Sequence, residues 1–334
     1  MLELEVFKAA AKLCDDVLGI KAGEKVLILA DTASDMQAVL ATAAAARNRD
    51  AKVSVMWYET ILPNIMVEPP EQVAAAMKSS DVLIDYAVTL YTKAQKEAVE
   101  AGARFICLSF VDSDLLVKCV GKVDLPKLLE LGEALVDVFK RGKTVRITSE
   151  LGMDLTCRLK PTSEIHQSGS KATKPGDVAM LAGQVTFSTD LEDVNGSIVF
   201  DGTLWPPNEL GLLKSPVRLE VESGRITAVK GGWEAKIFEK WLKSYNDPNM
   251  FNFAHVSPGF NPGVRKLTGR IAVDERYFGC VVIGVGHYRG RPAKNHTDGV
   301  VLNPTIEVDG EIIEESGMYV KPNLAKLCTE LGVL

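Results

Sequence analysis

All four histidines, His166, His255, His287 and His296, fall in the second half of the chain. Two of them lie in the stretch 286–299, which contains His296-Thr297-Asp298 and runs directly into the apolar segment Gly299-Val300-Val301-Leu302. Residues two apart in an extended chain project to the same side. His296 and Asp298 can therefore offer an imidazole nitrogen and a carboxylate oxygen to one point. One further ligand would complete a two-histidine, one-carboxylate set, the arrangement that suits non-haem Fe(II) with open positions. Spacing alone leaves a second reading open, in which His296 caps a loop and Asp298 forms an Asx turn with Gly299.

The other candidates also admit two readings. His255 follows an apolar approach, Phe253-Ala254, and leads into a Gly/Pro/Asn-rich stretch ending at Val264. Such a loop presents a ligand from a rigid element, or simply holds a satisfied histidine. His287 reads as a ligand, a general acid/base or a surface residue. His166 follows a Thr/Ser/Glu turn and reads as a surface residue, or as a proton carrier brought in by a loop. Serine-nucleophile chemistry lacks the G-x-S-x-G pattern, and Ser168-Gly169-Ser170 reads as a flexible turn. Asp190, Glu192 and Asp193 are either paired catalytic carboxylates or the solvated approach to a hairpin at Asn195-Gly196.

The elements that must position these residues follow from pattern. The chain has 334 residues, enough for two domains, with 46% apolar and 25% charged residues. A net charge of −6, without a basic stripe, argues against a nucleic-acid partner. No apolar run approaches the roughly 20 residues of a membrane helix, and the acidic, amphipathic opening is unlike a signal peptide. The six cysteines are scattered, without C-x-x-C pairing, and read as buried thiols. A soluble cytoplasmic protein is expected.

An amphipathic helix is expected over 2–18. Short apolar runs at 25–30, 52–58, 81–86 and 103–108 alternate with helical segments from Ser34 to about Arg49, 71–77, 92–101 and 125–140. That alternation predicts a doubly wound, mostly parallel α/β sheet over residues 1–144. The loop Asp31-Thr32-Ala33-Ser34 after the first run lacks a dinucleotide fingerprint, and no P-loop is present. From 145 to 334 the texture becomes β-rich: period-two segments at 145–148 and 154–159, turn-bounded runs at 194–200, 217–222, 226–230, 279–285 and 299–306, and an Asp309-Gly310 hairpin signal. Only 234–244 reads there as helix. This half is expected to be a β-rich α+β metal-binding catalytic domain.

Read in order, the segments 181–185, 193–202, 259–264 and 279–286, then the H-x-D triplet, resemble the aminopeptidase T/S-like (thermophilic metalloprotease) family over most of the second half. The α/β first half fits the same family. Those peptidases hold two metal ions with Glu, His and Asp ligands. This chain departs from them: it has Gln184 where their pattern reads A-G-E-V, His255 where a second glutamate would lie, and Val282 where a histidine precedes I-x-x-G. A two-metal hydrolytic centre needs carboxylates to hold both ions, so ligands for one metal remain.

That set, His255, His296 and Asp298, resembles the 2,5-dihydroxypyridine 5,6-dioxygenases, which share the peptidase-like fold and use one Fe(II) for oxidative ring opening. The resemblance implies Fe(II) as cofactor and O₂ and a hydroxylated N-heterocycle as substrates, with N-formylmaleamate as product. It also implies an acid/base drawn from His166, His287 and Tyr288, Gln184 as a hydrogen-bonding partner of substrate or metal-bound water, and a homo-oligomer. Two other readings are a divergent metallo-aminopeptidase drawing on Glu192 or Glu275, and an inactive binding module on this fold.

Overall fold

The structure, a computed structural model, describes residues 2–60, 67–88 and 92–333. The chain divides into two compact units, one of residues 1–125 with 169–182 and one of 126–168 with 183–334. The single boundary expected at 144 is thus replaced by a discontinuous one. The helix Leu125–Arg141 explains part of the difference. From Pro126 onward it belongs to the second unit, where Phe139 packs on Phe187 with ring centroids 4.9 Å apart. The remainder is a return segment, 169–182, that rejoins the first unit.

The first unit holds a five-stranded parallel sheet in the order Lys52–Tyr58, Lys25–Asp31, Val82–Asp85, Arg104–Cys107 and Val178–Met180. Strands with both faces covered read as apolar runs, not as alternation. Lys25–Asp31 is accordingly buried at every position after Lys25. The edge strand Lys52–Tyr58 instead alternates between exposed and half-buried positions. Helix Met36–Arg47 starts where Asp35 accepts the Gln37 N–H at 2.9 Å, an N-cap that fixes its first turn. The fifth strand is the return segment. Only three residues long and preceded by Lys-Pro-Gly-Asp, it carries too little pattern to be read as a strand.

The second unit contains two antiparallel sheets. One runs, in order, Arg225–Gly231, Val217–Glu222, Val194–Phe200, Asp154–Arg158, Thr144–Thr148, Thr305–Val308, Glu311–Glu315 and Met318–Tyr319. Its Asp309-Gly310 turn has positive φ at both residues, 51° and 88°, as a tight two-residue hairpin requires.

The other sheet carries the candidate chemistry. Its order is Gly211–Leu212, Thr203–Trp205, Arg291–Leu302, Cys280–Tyr288, Phe253–Gly259, Val185–Ser188 and Glu164–Gln167. The expected strand at 299–306 is two strands. The first begins at Arg291 and stops at Leu302; Asn303, with φ of 46°, breaks the chain before Thr305–Val308 enters the first sheet.

Candidate metal centre

Antiparallel register assembles the site from residues far apart in sequence. Across the sheet, Glu164 pairs with Ser188, and Val256 with Phe187, which sets His255 opposite Ser188. His255 pairs with Gly284, Gly284 with Asp298, and Gly286 with His296. Directly paired residues of an antiparallel sheet project to one face. The same face therefore carries Glu164, Ser188, His255 and Asp298, with His296 one step along its strand. His296 and Asp298 are the extended i, i+2 pair that the H-x-D triplet implied.

The three side chains converge. His296 Nε2 lies 2.9 Å from Asp298 Oδ2, and His255 Nε2 lies 3.2 Å from Asp298 Oδ1. The two imidazoles stack, with centroids 5.3 Å apart and planes 23° from parallel. Gly284 makes this possible, because a Cβ there would stand 2.4 Å from His255 Nε2. A register shift between Gly286 and Tyr288 marks a bulge, which re-aims side chains locally. The Tyr288 ring lies 5.5 Å from the His255 ring.

Electrostatics separate the three groups. Burial disfavours charge on Asp298, but the two imidazoles outweigh it and hold the carboxyl below its usual range. Burial dominates at His255 and lowers its pKa despite Asp298. At His296 burial also opposes charge, yet Asp298 and the His287 carbonyl outweigh it and raise the pKa.

This trio fits a divalent cation on three observations. His296 Nδ1 donates to the His287 carbonyl at 2.7 Å and His255 Nδ1 meets Ser257 Oγ at 3.0 Å, so both Nε2 atoms face Asp298. Oxygen partners on the distal ring nitrogen are the usual support of a metal-bound histidine. Asp298 Oδ1 is buried and, although close to His255, is not aligned for a hydrogen bond. Finally, two imidazoles and one carboxylate form one compact donor group, every donor atom within 4.8 Å of the others.

The remaining expected residues divide. His166 follows the turn at 161–163, pairs with Thr186 in a strand, and is half-buried on the site's face. Burial lowers its pKa, and the charges of Arg289 and His255 add to the effect against Glu164. Tyr288 stays protonated because burial raises its pKa, with Glu164 reinforcing it, and Arg291 stands 5.5 Å over its ring. His287 contributes its backbone carbonyl; its ring Nδ1 instead accepts the Ala293 N–H at 3.3 Å.

Gln184 sits apart. Its amide donates to Glu275 Oε2 at 3.2 Å, and it pairs with Gly259, four residues along the strand from His255. Gln184 is therefore not among the residues gathered with the trio. Glu275 is paired with Arg276. Asp190, Glu192 and Asp193 gather around Lys160, at 2.8, 3.7 and 2.5 Å. Neither Glu192 nor Glu275 joins the trio, so the carboxylates that a two-metal peptidase would need are engaged elsewhere. Sequence reasoning missed Glu164, Ser257 and Arg291. Glu164 reaches the site through pairing between distant strands. Ser257 stands two residues from His255 on one strand and Arg291 pairs with Tyr288 across a tight turn, both within reach of local spacing.

Two imidazoles and one carboxylate on one sheet face make up a candidate metal site of the facial-triad type. The chain belongs to the 2,5-dihydroxypyridine 5,6-dioxygenase family, whose model matches residues 3–321. A 2,5-dihydroxypyridine 5,6-dioxygenase from Pseudomonas putida strain KT2440 is 24% identical over 263 residues, covering 74% of this chain and 73% of that one. The solved structure of 2,5-dihydroxypyridine dioxygenase from the same organism superposes with a TM-score of 0.81 at 18% identity, over 97% of this chain and 99% of that one. Wild-type AmpT from Thermus thermophilus superposes with a TM-score of 0.67 at 14% identity, over 95% and 99%. The two structures share the fold. Among the described residues no helix is long and apolar enough to cross a membrane.

Proposed function

We propose that the protein is a mononuclear non-haem Fe(II) dioxygenase that opens the ring of 2,5-dihydroxypyridine between C5 and C6. The observation that carries this reading is the His255, His296 and Asp298 set, with both Nε2 atoms turned to one carboxylate and both Nδ1 atoms tied to oxygen. Fe(II) bound there would supply the one-electron chemistry that lets dioxygen react with a closed-shell ring.

The protein's own groups do the rest. His166, held neutral by burial and by Arg289, takes the proton of a ring hydroxyl as substrate binds. Arg289 and Arg291 make the surroundings of Tyr288 and His166 favourable to a hydroxypyridinate anion. Tyr288, kept protonated by burial, offers a hydrogen-bond donor beside the His255 ring. Replacing His166 by Gln should leave metal content unchanged and lower kcat roughly 100-fold or more, as loss of a general acid/base does. Metal analysis with steady-state kinetics checks both.

The reading is tested by reconstituting the protein with Fe(II) under anaerobic conditions, adding 2,5-dihydroxypyridine and admitting air. The ultraviolet band of the substrate should decay only with Fe(II) and O₂ both present. Leucine p-nitroanilide, offered in parallel, should remain intact. An unchanged band together with anilide hydrolysis would overturn the proposal in favour of a peptidase.

A further inference from the structure

The two ligand histidines are supported by chemically different partners. His296 Nδ1 meets a backbone carbonyl, which can only accept, so that nitrogen must carry a proton. His255 Nδ1 meets the hydroxyl of Ser257, which can accept or donate. Ser257 is fully buried. Its oxygen lies 2.9 Å from Thr186 Oγ1, and Thr186 Oγ1 is in turn bonded to Ser168 Oγ. Thr186 is buried and Ser168 half-buried, so the series runs outward from the metal ligand through three strand-borne or strand-flanking hydroxyls.

We infer that Ser168, Thr186 and Ser257 form a hydroxyl chain of reversible polarity that selects the tautomer of His255, making them positioning residues for its Nε2 lone pair. The inference rests on reading His255, His296 and Asp298 as a cation site. In the outward polarity, His255 Nδ1–H donates to Ser257, Ser257 to Thr186, Thr186 to Ser168 and Ser168 to water. His255 Nε2 is then bare and available to a cation. In the inward polarity every donor turns round, Ser257 donates to Nδ1, and Nε2 carries a proton toward Asp298 Oδ1, 3.2 Å away. That proton occupies the place where a cation would bind.

Passage from inward to outward conserves protons. One leaves Nε2 for water and one enters from water at Ser168, each hydroxyl handing its own inward until Nδ1 is protonated. The imidazole stays neutral throughout. The asymmetry between the two histidines is thus functional: His296 has its tautomer fixed, whereas that of His255 depends on whether Ser257 has somewhere to donate.

Thr186 is the residue that decides the matter, because it touches no ligand. In Thr186→Val the Ser257 hydroxyl loses its outward acceptor and can donate only to His255 Nδ1, which locks the inward polarity. Zn(II) affinity, measured by competition with a chromophoric chelator, should fall roughly ten-fold, the scale of a lost supporting contact. Thr186→Ser should restore it. In metal-free, ¹⁵N-histidine-labelled Thr186→Val, long-range ¹H–¹⁵N spectra should show His255 protonated at Nε2; in the Zn(II)-loaded wild type they should show it at Nδ1.

Wild-type Zn(II) affinity in a folded Thr186→Val protein would overturn the chain while leaving the cation site standing. Equal loss in Thr186→Ser and Thr186→Val would also overturn it, by making shape and not the hydroxyl the cause. Failure of the wild type to bind Zn(II), or unaltered binding in His296→Ala, would overturn the cation site and the chain together.

Discussion

Asp31 and Asp85 are buried at the ends of parallel strands in the first unit; Asp298 lies largely buried in an antiparallel strand of the second. In open α/β sheets that crest of strand ends is the usual ligand position. Here both aspartates are bound by groups of the loops that follow their strands. Asp31 accepts the Ala33 N–H at 3.0 Å, the Ser34 hydroxyl at 2.9 Å and the Val88 N–H at 3.0 Å, and Asp85 accepts the Ala87 N–H at 2.9 Å. Asp298 is instead faced by two imidazoles, and its Oδ1 forms no aligned hydrogen bond. Burial of an acid is therefore a poor sign of a site. What distinguishes the two regions is whether the backbone already satisfies the carboxylate.

The largest test of that contrast is Asp298→Ala. Metal retained after desalting should fall to background and ring-opening turnover should vanish, read by metal analysis and the ultraviolet assay. Next comes Gly284→Ala, whose new methyl would collide with His255 Nε2. Displacing the ring should weaken metal binding by about 10- to 100-fold, on the scale of supporting-contact losses, as chelator competition would report.

On the other side of the comparison, Asp31→Asn places an amide against N–H groups that need an acceptor. It should cost about 1–3 kcal/mol of stability, measured by urea unfolding, and leave the metal content untouched. Loss of metal from that variant would break the contrast.

The smallest effect concerns Glu24, which is paired with the buried Arg104 through two hydrogen bonds of 2.9 and 2.8 Å. Burial pushes the Glu24 carboxyl up, but Arg104 and the Lys21 N–H outweigh it and bring the pKa below 4.5. A depressed carboxyl contributes its stability in full above the unfolded value, and loses it as pH falls through the folded one. The stability gap between wild type and Glu24→Gln should therefore be constant at neutral pH and shrink on acidification below about pH 4.5, with the metal trio uninvolved.

Much of this was legible in the chain itself. Buried parallel strands announce themselves as apolar runs, so Lys25–Asp31 was placed nearly to the residue, and the more exposed edge strand Lys52–Tyr58 was placed as closely. The i, i+2 geometry of His296 and Asp298 needs only one extended segment and was equally visible. His255 reached the trio through resemblance, since nothing local ties it to a residue about 40 positions away. Ser257, Thr186 and Ser168 were not legible, because their hydrogen bonds exist only once three segments are in register. Ser168 even reads as part of a flexible turn. The discontinuous first unit escaped for a similar reason: a three-residue strand gains its identity from the neighbour it pairs with.

The His287 carbonyl, which accepts from His296, belongs to the backbone and not to a side chain. Exchanging the His287 side chain leaves that oxygen in place, so a scan of single substitutions would score position 287 as dispensable to the very contact it provides. The information that secures this part of the centre is carried by the path of the strand through the bulge at Gly286 and Tyr288, where Gly286 adopts a φ of 94°. A substitution at residue 287 keeps this oxygen, provided the bend beneath it is kept.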